Sequence, residues 1–119
     1  MTEKIMNNPL RRQIWLVNLD PAVGAEIKKI RPALIISNDI NNHYAHTITI
    51  LPITDKGEKI YPFEVHLQAK ISGLAKESKI KCQQIRTIDK SRLIKSLGSV
   101  SDLEIKQVQQ ALLIHLGIE

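Results

Sequence analysis

The chain is short of cysteine, aromatics and long apolar runs, and each shortage excludes a class of protein. Cys82 is the only cysteine among 119 residues, so no internal disulfide can form, and a reducing compartment is the natural setting. It sits in Lys79-Ile80-Lys81-Cys82 and reads as a packed strand residue, with no ligand cluster near it in sequence to suggest zinc. Aromatics make up 3% of the chain, so the core must be aliphatic, mostly Ile and Leu. No apolar stretch approaches the roughly 20 residues that a membrane span needs. Met1 to Pro9 is polar and lacks the apolar centre of a signal peptide. A cytoplasmic protein without a membrane partner is expected. There is no internal repeat and no low-complexity segment.

What is present fits one domain. A hydrophobic fraction of 43% over this length supports a single core. Residues 1–10 read as a flexible lead-in, and residues 11–119 as the domain. A net charge of +5 and a pI of about 9.5 favour a polyanionic partner, although solubility alone also accounts for them.

Abundant Ile and Thr lean toward strands. Ile14 to Asn18 is the first, and Asp20-Pro21-Ala22-Val23-Gly24 opens a loop that runs to Ile30. Arg31 to Ser37 and His46 to Ile53 are the next two strands, separated by a polar stretch from Asn38 to His43 with room for one helical turn. Asp55-Lys56-Gly57-Glu58 is a turn, and Pro62 to Leu67 can be extended. Ser72-Gly73 breaks the chain. Lys79 to Cys82 and Gln84 to Thr87 are two short strands or one bent strand, Asp89 to Arg92 is a turn, and Leu93 to Leu97 is extended. Ser101-Asp102-Leu103-Glu104 has the spacing of a capping box, and Gly117 suits a helix stop. Between them Leu103, Val108, Ala111, Leu112 and Leu116 are expected to share the buried helical face. The sum is a β-rich α+β fold: a small, strongly bent sheet or open barrel with one C-terminal helix packed on it.

Two segments carry chemistry. Ala33 to Ile36 is an unbroken apolar run that reads as a covered strand, with Arg31-Pro32 at its mouth. A guanidinium fixed there beside a cationic loop suits a phosphate, and capping the rim or pairing with Glu26 is the plainer use. Thr47-Ile48-Thr49-Ile50-Leu51-Pro52-Ile53-Thr54 alternates and delivers Thr54 to a strand end, where a functional side chain can leave a scaffold without disrupting it.

These blocks, Arg31-Pro32 with Ser37-Asn38-Asp39, Pro52-Ile53-Thr54, Gln84-Ile85-Arg86-Thr87-Ile88-Asp89-Lys90 and Leu112 to Gly117, together resemble the MazF/PemK family of toxin endoribonucleases, from about Ile14 to Gly117. The resemblance implies an SH3-like barrel with appended helices, a homodimer, and a metal-independent, sequence-selective endoribonuclease that cuts single-stranded RNA, mRNA above all, by 2′-OH attack. It implies no cofactor and no metal, and a cognate antitoxin with an acidic C-terminal segment that folds into the cationic groove. Arg31 and Thr54 match the catalytic pair. Arginine offers five N–H donors and stays charged, so it can hold a doubly negative phosphorane, and Thr54 can donate to a non-bridging oxygen or orient the 2′-OH.

The loop residues Glu26, Lys28 and Lys29, together with Ser78, Gln83 and Gln84, match positions near the RNA groove. Glu26 is a substrate contact, a proton carrier or a partner of Arg31. Lys28 and Lys29 neutralise phosphates or stand in solvent. Gln83 and Gln84 could read base edges, but on one regular strand they cannot share a face. Of the histidines, His43, His46, His66 and His115, none falls on a catalytic position of that family, and arginine is a poor base, so the acceptor of the 2′-OH proton stays open. The chain departs from the family pattern at Arg12-Gln13, Ile27 and Gln83, which bears on the RNA sequence recognised and on loop contacts. Trp15 reads as a core or interface residue. The competing readings are a non-enzymatic module of the same fold, of the kind that poisons DNA gyrase by contact, and an inactivated toxin retained for partner binding.

Overall fold

The computed structural model describes residues 8–70 and 73–119. Seven antiparallel strands form one bent sheet: β1 (Gln13–Asn18), β2 (Ile30–Ile35), β3 (Thr47–Asp55), β4 (Glu64–Leu67), β5 (Ser78–Lys81), β6 (Arg86–Asp89) and β7 (Leu93–Ser99). A short helix, α1 (Asp39–Tyr44), joins β2 to β3, and α2 (Asp102–Leu116) closes the fold. The strand order is β4-β5-β3-β2-β1-β7, with β6 also paired to β3. Among the described residues no ladder joins β6 to β7, so the expected barrel is an open, bent sheet. Register shifts in the β1–β7 ladder mark irregularities that sharpen such a bend.

Strand alternation sorts the apolar residues onto two faces. Ile14, Leu34, Leu51, Ile53 and Ile80 gather with Ile105, Val108 and Ala111 of α2 in one cluster. Trp15, Val17, Ala33, Ile35, Ile48 and Ile50 form a second cluster on the opposite face with Ile88, and Ile27 and Leu93 pack against it. Trp15 is therefore a core residue; its Nε1–H donates to Gln13 Oε1 at 2.9 Å.

The helix ends follow the sequence. Ser101 Oγ accepts from the Glu104 N–H, and Glu104 Oε1 accepts from the Ser101 N–H, which completes the capping box. Gly117 takes the left-handed C-cap at φ +70°. The expected buried stripe is wrong at both ends: Leu103 is 67% exposed and Leu116 53%, and Ile105 takes the inner place. At about 100° per residue Leu103 stands opposite the Ile105–Val108–Ala111 stripe, and Leu116 is the last residue of the helix.

Three local differences matter. β3 runs on to Asp55, so Thr54 lies inside the ladder, opposite Lys79, instead of at its end. The Ser37-Asn38-Asp39 block is structural: Ser37 Oγ accepts from the Thr49 N–H, Asn38 caps α1, and Asp39 Oδ1 accepts from the Arg11 N–H. Of the lead-in, residues 1–7 lie outside the described residues, whereas Asn8 already donates to His43 Nδ1 and Pro9 is buried. Of the Ser72-Gly73 break, Ser72 lies outside them too. Gly73 adopts φ +82°, where a Cβ would collide with the Leu97 carbonyl oxygen.

Candidate active site and RNA groove

The ladders bring the two sequence-predicted catalytic residues to one face. Val17 pairs with Arg31, and Ala33, Leu34 and Ile35 pair with Pro52, Leu51 and Ile50. Continuing that β2–β3 register past Ala33 and Pro52 sets Arg31 opposite Thr54. Thr54 in turn pairs with Lys79, and Lys79 with His66. Directly opposed residues share a face. A transverse polar row, His66–Lys79–Thr54–Arg31, therefore crosses the sheet and ends against the buried Val17. Lys79 is a member that sequence reading missed, because only the register reveals it.

Arg31 is half-buried and uncommitted. Its Nε–H donates to the Lys28 carbonyl at 3.4 Å, and among the described residues it has no acidic partner. Glu26, the alternative partner, instead accepts from the Val23 N–H at 2.7 Å. The Thr54 hydroxyl rests on the Asp55 carbonyl at 3.1 Å, a weak contact that a ligand can replace by rotation about χ1.

A groove of about 440 Å³ opens beside this row, lined by Ala25, Glu26, Ile27, Pro52, Gln83, Gln84, Ile85 and Arg86. Its geometry follows from one irregularity in the ladder. Ile80 pairs with Ile53 and Arg86 with Ile50, so Cys82, Gln83, Gln84 and Ile85 stand where the ladder has room for one residue opposite Leu51. They form the 3-10 turn Cys82–Gln84 and project it over the sheet. The Cys82 thiol is turned inward, fully buried, and its pKa is pushed up to about 12 by that burial. Such a thiol is inert.

The opposite wall is the β1–β2 loop, and polar side chains hold it there. Gln84 accepts from the Ile27 N–H at 2.8 Å and donates to the Ala25 carbonyl at 3.4 Å. Arg86 donates to the Leu19 and Pro21 carbonyls, and Arg92 to those of Asn18 and Asp20. Ile27, one of the departures noted in the sequence, anchors the loop on the Trp15 cluster. Lys28 and Lys29 remain exposed beside Arg31. Both ends of the Gln84 amide are thus engaged with the loop, and the side chain also lines the groove.

Gln83 faces a different network. Its Nε2 donates to Glu64 Oε2 at 2.7 Å, and its Oε1 is buried without a partner. Glu64, whose side chain is 1% exposed, also receives Lys79 Nζ at 3.0 Å and the Tyr61 N–H at 3.1 Å. Burial alone would raise its pKa, but the bonds from Gln83, Tyr61 and Lys79 outweigh burial and hold it below the ordinary 4.5. Ser78 is placed elsewhere. It is 7% exposed, shares the face of Ile80, and donates to the Lys76 carbonyl.

Among the described residues, no cluster of three or more His, Cys, Asp or Glu could hold a metal, and no helix is long and apolar enough to cross a membrane. His66 bonds Glu77 at 2.7 Å, His43 bonds Asn8, and His115 lies against Phe63. A second cavity of about 460 Å³, between β4 and α2, meets the row only at His66, and Arg31 and Thr54 line neither cavity.

Comparison with known proteins agrees with this geometry. A family profile described as PemK-like, MazF-like toxin of type II toxin–antitoxin systems matches residues 10–116. The chain is 42% identical over 113 residues to the Mycobacterium tuberculosis protein named endoribonuclease MazF9, covering 91% of this chain and 96% of that one. Among solved structures, MazF from Deinococcus radiodurans superposes with a TM-score of 0.80 at 28% identity, covering 92% of this chain and 96% of the other. A mycobacterial endoribonuclease solved with its cognate antitoxin has the same fold, with a TM-score of 0.78 at 23% identity and coverage of 93% and 97%. The chain therefore belongs to the PemK/MazF family of type II toxin–antitoxin toxins.

Proposed function

We propose that this chain, an endoribonuclease of the MazF type, cleaves single-stranded RNA by attack of the 2′-OH on the adjacent phosphorus, with Arg31 and Thr54 acting together on one phosphodiester. The observation that carries this reading is the β2–β3 ladder ending at Ala33–Pro52: continued by two residues, its register brings Arg31 and Thr54 together, beside the groove that Pro52 lines.

RNA supplies its own nucleophile, so the protein has three tasks: to align the hydroxyl in line, to stabilise charge on the phosphate oxygens, and to manage protons. Arg31 stabilises the phosphorane, since among the described residues no carboxylate binds its fixed charge. Thr54 positions the 2′-OH or donates to a non-bridging oxygen. The products are a 2′,3′-cyclic phosphate and a 5′-OH. These steps call on neither metal nor cofactor.

The remaining residues bind. Lys28 and Lys29 neutralise backbone phosphates on the approach to Arg31. Glu26, Gln83 and Gln84, which line the groove, contact bases there, and Gln84 also holds the loop. The protein is cytoplasmic and works as a homodimer. A cognate antitoxin with an acidic C-terminal segment silences it by occupying the cationic groove.

Mapping cleaved ends on a long RNA with purified protein in excess EDTA tests the reading. Discrete cuts within a short consensus, with 5′-OH ends, are expected. A strict need for Mg²⁺ would replace the mechanism. Intact RNA together with inhibited gyrase supercoiling would replace the function.

A further inference from the structure

The β3–β4 connection holds a feature that the catalytic reading does not use. The chain has four aromatic residues, and two of them lie here, in Tyr61-Pro62-Phe63. Their rings are parallel within 1°, with centroids 5.6 Å apart. Tyr61 is nevertheless 43% exposed. Lys59 Nζ stands 4.7 Å from the Tyr61 centroid and Lys79 Nζ 6.0 Å.

The backbone that carries the ring is held by the network around Lys79, a member of the polar row. The Tyr61 N–H donates to Glu64 Oε1 at 3.1 Å, and the Glu64 N–H donates to the Tyr61 carbonyl at 2.9 Å. Lys79 Nζ bonds both Glu64 Oε1 and the Lys59 carbonyl. Lys79 is the direct cross-strand neighbour of Thr54. One side chain therefore links the residue proposed to orient the 2′-OH with the aromatic ring.

We propose that Tyr61 is a stacking platform for a base of the single-stranded RNA flanking the scissile phosphate, with Lys59, whose Nζ lies over the ring in the free protein, swinging aside to meet the adjoining phosphate. The inference rests on the function proposed above and extends its substrate path from the Arg31 side of the row to the Lys79 side. Single-strand binders combine an aromatic face with nearby cations, because every base has a π-face and every linkage a charge. A ring already fixed by backbone bonds and by Phe63 loses little freedom on binding. If Tyr61 only covered the Glu64–Lys79 pair, an aliphatic side chain would serve as well.

The test uses a labelled single-stranded oligonucleotide of 2′-deoxy nucleotides, which cannot be cut by 2′-OH attack, and reads affinity by fluorescence anisotropy. Tyr61→Leu keeps an apolar cover and removes the π-face; Tyr61→Phe keeps both. Leu should weaken binding roughly 5- to 100-fold while Phe stays near wild type. Abasic replacements, one position at a time, should reveal a site whose loss weakens wild type but has no further effect in Tyr61→Leu. Equal affinity of all three proteins, or the same abasic profile in wild type and Leu, overturns the platform while wild-type cleavage keeps the nuclease reading. A wild-type protein that neither cuts RNA nor binds the oligonucleotide overturns both.

Discussion

From β3, Leu51 and Ile53 point into the core beneath α2, whereas Ile48, Ile50 and Pro52 point to the other face, where the same alternation arrives at Thr54. The first face is apolar where α2 covers it, closed by Ile105, Val108 and Ala111. The second is apolar at one end and polar at the other, where Arg31, Thr54, Lys79 and the loop walls meet. The difference teaches where specificity of placement comes from. The helix-side face needs only shape and hydrophobicity, which many sequences supply. The groove face needs register, an over-long 3-10 turn and a loop fixed by named side-chain amides and guanidiniums. Damage to the first should cost stability, and damage to the second should cost activity.

The sharpest break of that contrast comes from the proposed catalytic pair. Arg31→Ala and Thr54→Ala should each reduce cleavage by about 10²–10³-fold or more, on the scale of one lost transition-state donor. Melting curves should stay near wild type, because neither side chain belongs to either core. Full cutting by either variant removes that residue from the mechanism. On the opposite face, Leu51→Ala should destabilise by about 2–5 kcal/mol, as large-to-small core changes do. Its cleavage rate per folded molecule should hardly move, and a rate loss comparable to that of Thr54→Ala would erase the distinction between the faces.

Gln84→Ala probes the groove wall without touching the row. The loop loses two hydrogen bonds, to Ile27 and Ala25. Each contributes about 1 kcal/mol. KM for RNA should rise several-fold while kcat falls less; a pure kcat effect would make Gln84 a participant in the chemistry.

Glu64 sets the pH dependence of this side. Its folded pKa lies below the ordinary 4.5, so the unfolded chain binds the proton more tightly. Its stabilising contribution is present above pH about 4.5 and is lost as pH falls through the folded value. Glu64→Gln should lower stability at neutral pH and flatten the acid limb of the stability profile, read by denaturant melts from pH 3 to 7. An unchanged acid limb would show that the Lys79 and Gln83 bonds contribute nothing net. The smallest effect belongs to the loop cations. For single strands, Lys28→Ala or Lys29→Ala should each reduce the slope of log affinity against log salt by about 0.7 if the lysine neutralises one phosphate, and by nothing if it stands in solvent.

Much of the first face was readable along the chain, because periodicity and caps are local. The capping box and the Gly117 stop follow from spacing alone, and Ala33 to Ile36 is recognisable as a covered strand. Leu103 misled because its register relative to Ile105, not its hydrophobicity, decides which way it points. The groove face was readable only in part. Arg31 and Thr54 stood out through the family resemblance, whereas their alignment depends on a β2–β3 ladder between segments far apart in sequence. Lys79 and Tyr61 left no local signal, since their relation to Thr54 exists only once β5 and β4 have paired. Ser78 and Gln84 were assigned by position in a motif, and the burial of Ser78 and the hold of Gln84 on the loop backbone became legible only in the fold.

The central claim is that Arg31 and Thr54 act as one unit on one phosphodiester, and a double-mutant cycle on a single mapped cleavage site tests it most directly. Rates are needed for Arg31→Ala, Thr54→Ala and the combined variant. Groups that stabilise the same transition state are strongly non-additive, so the double variant should cut hardly more slowly than the worse single one. Losses that multiply in full would mean that the two residues act independently, and the shared site would be contradicted.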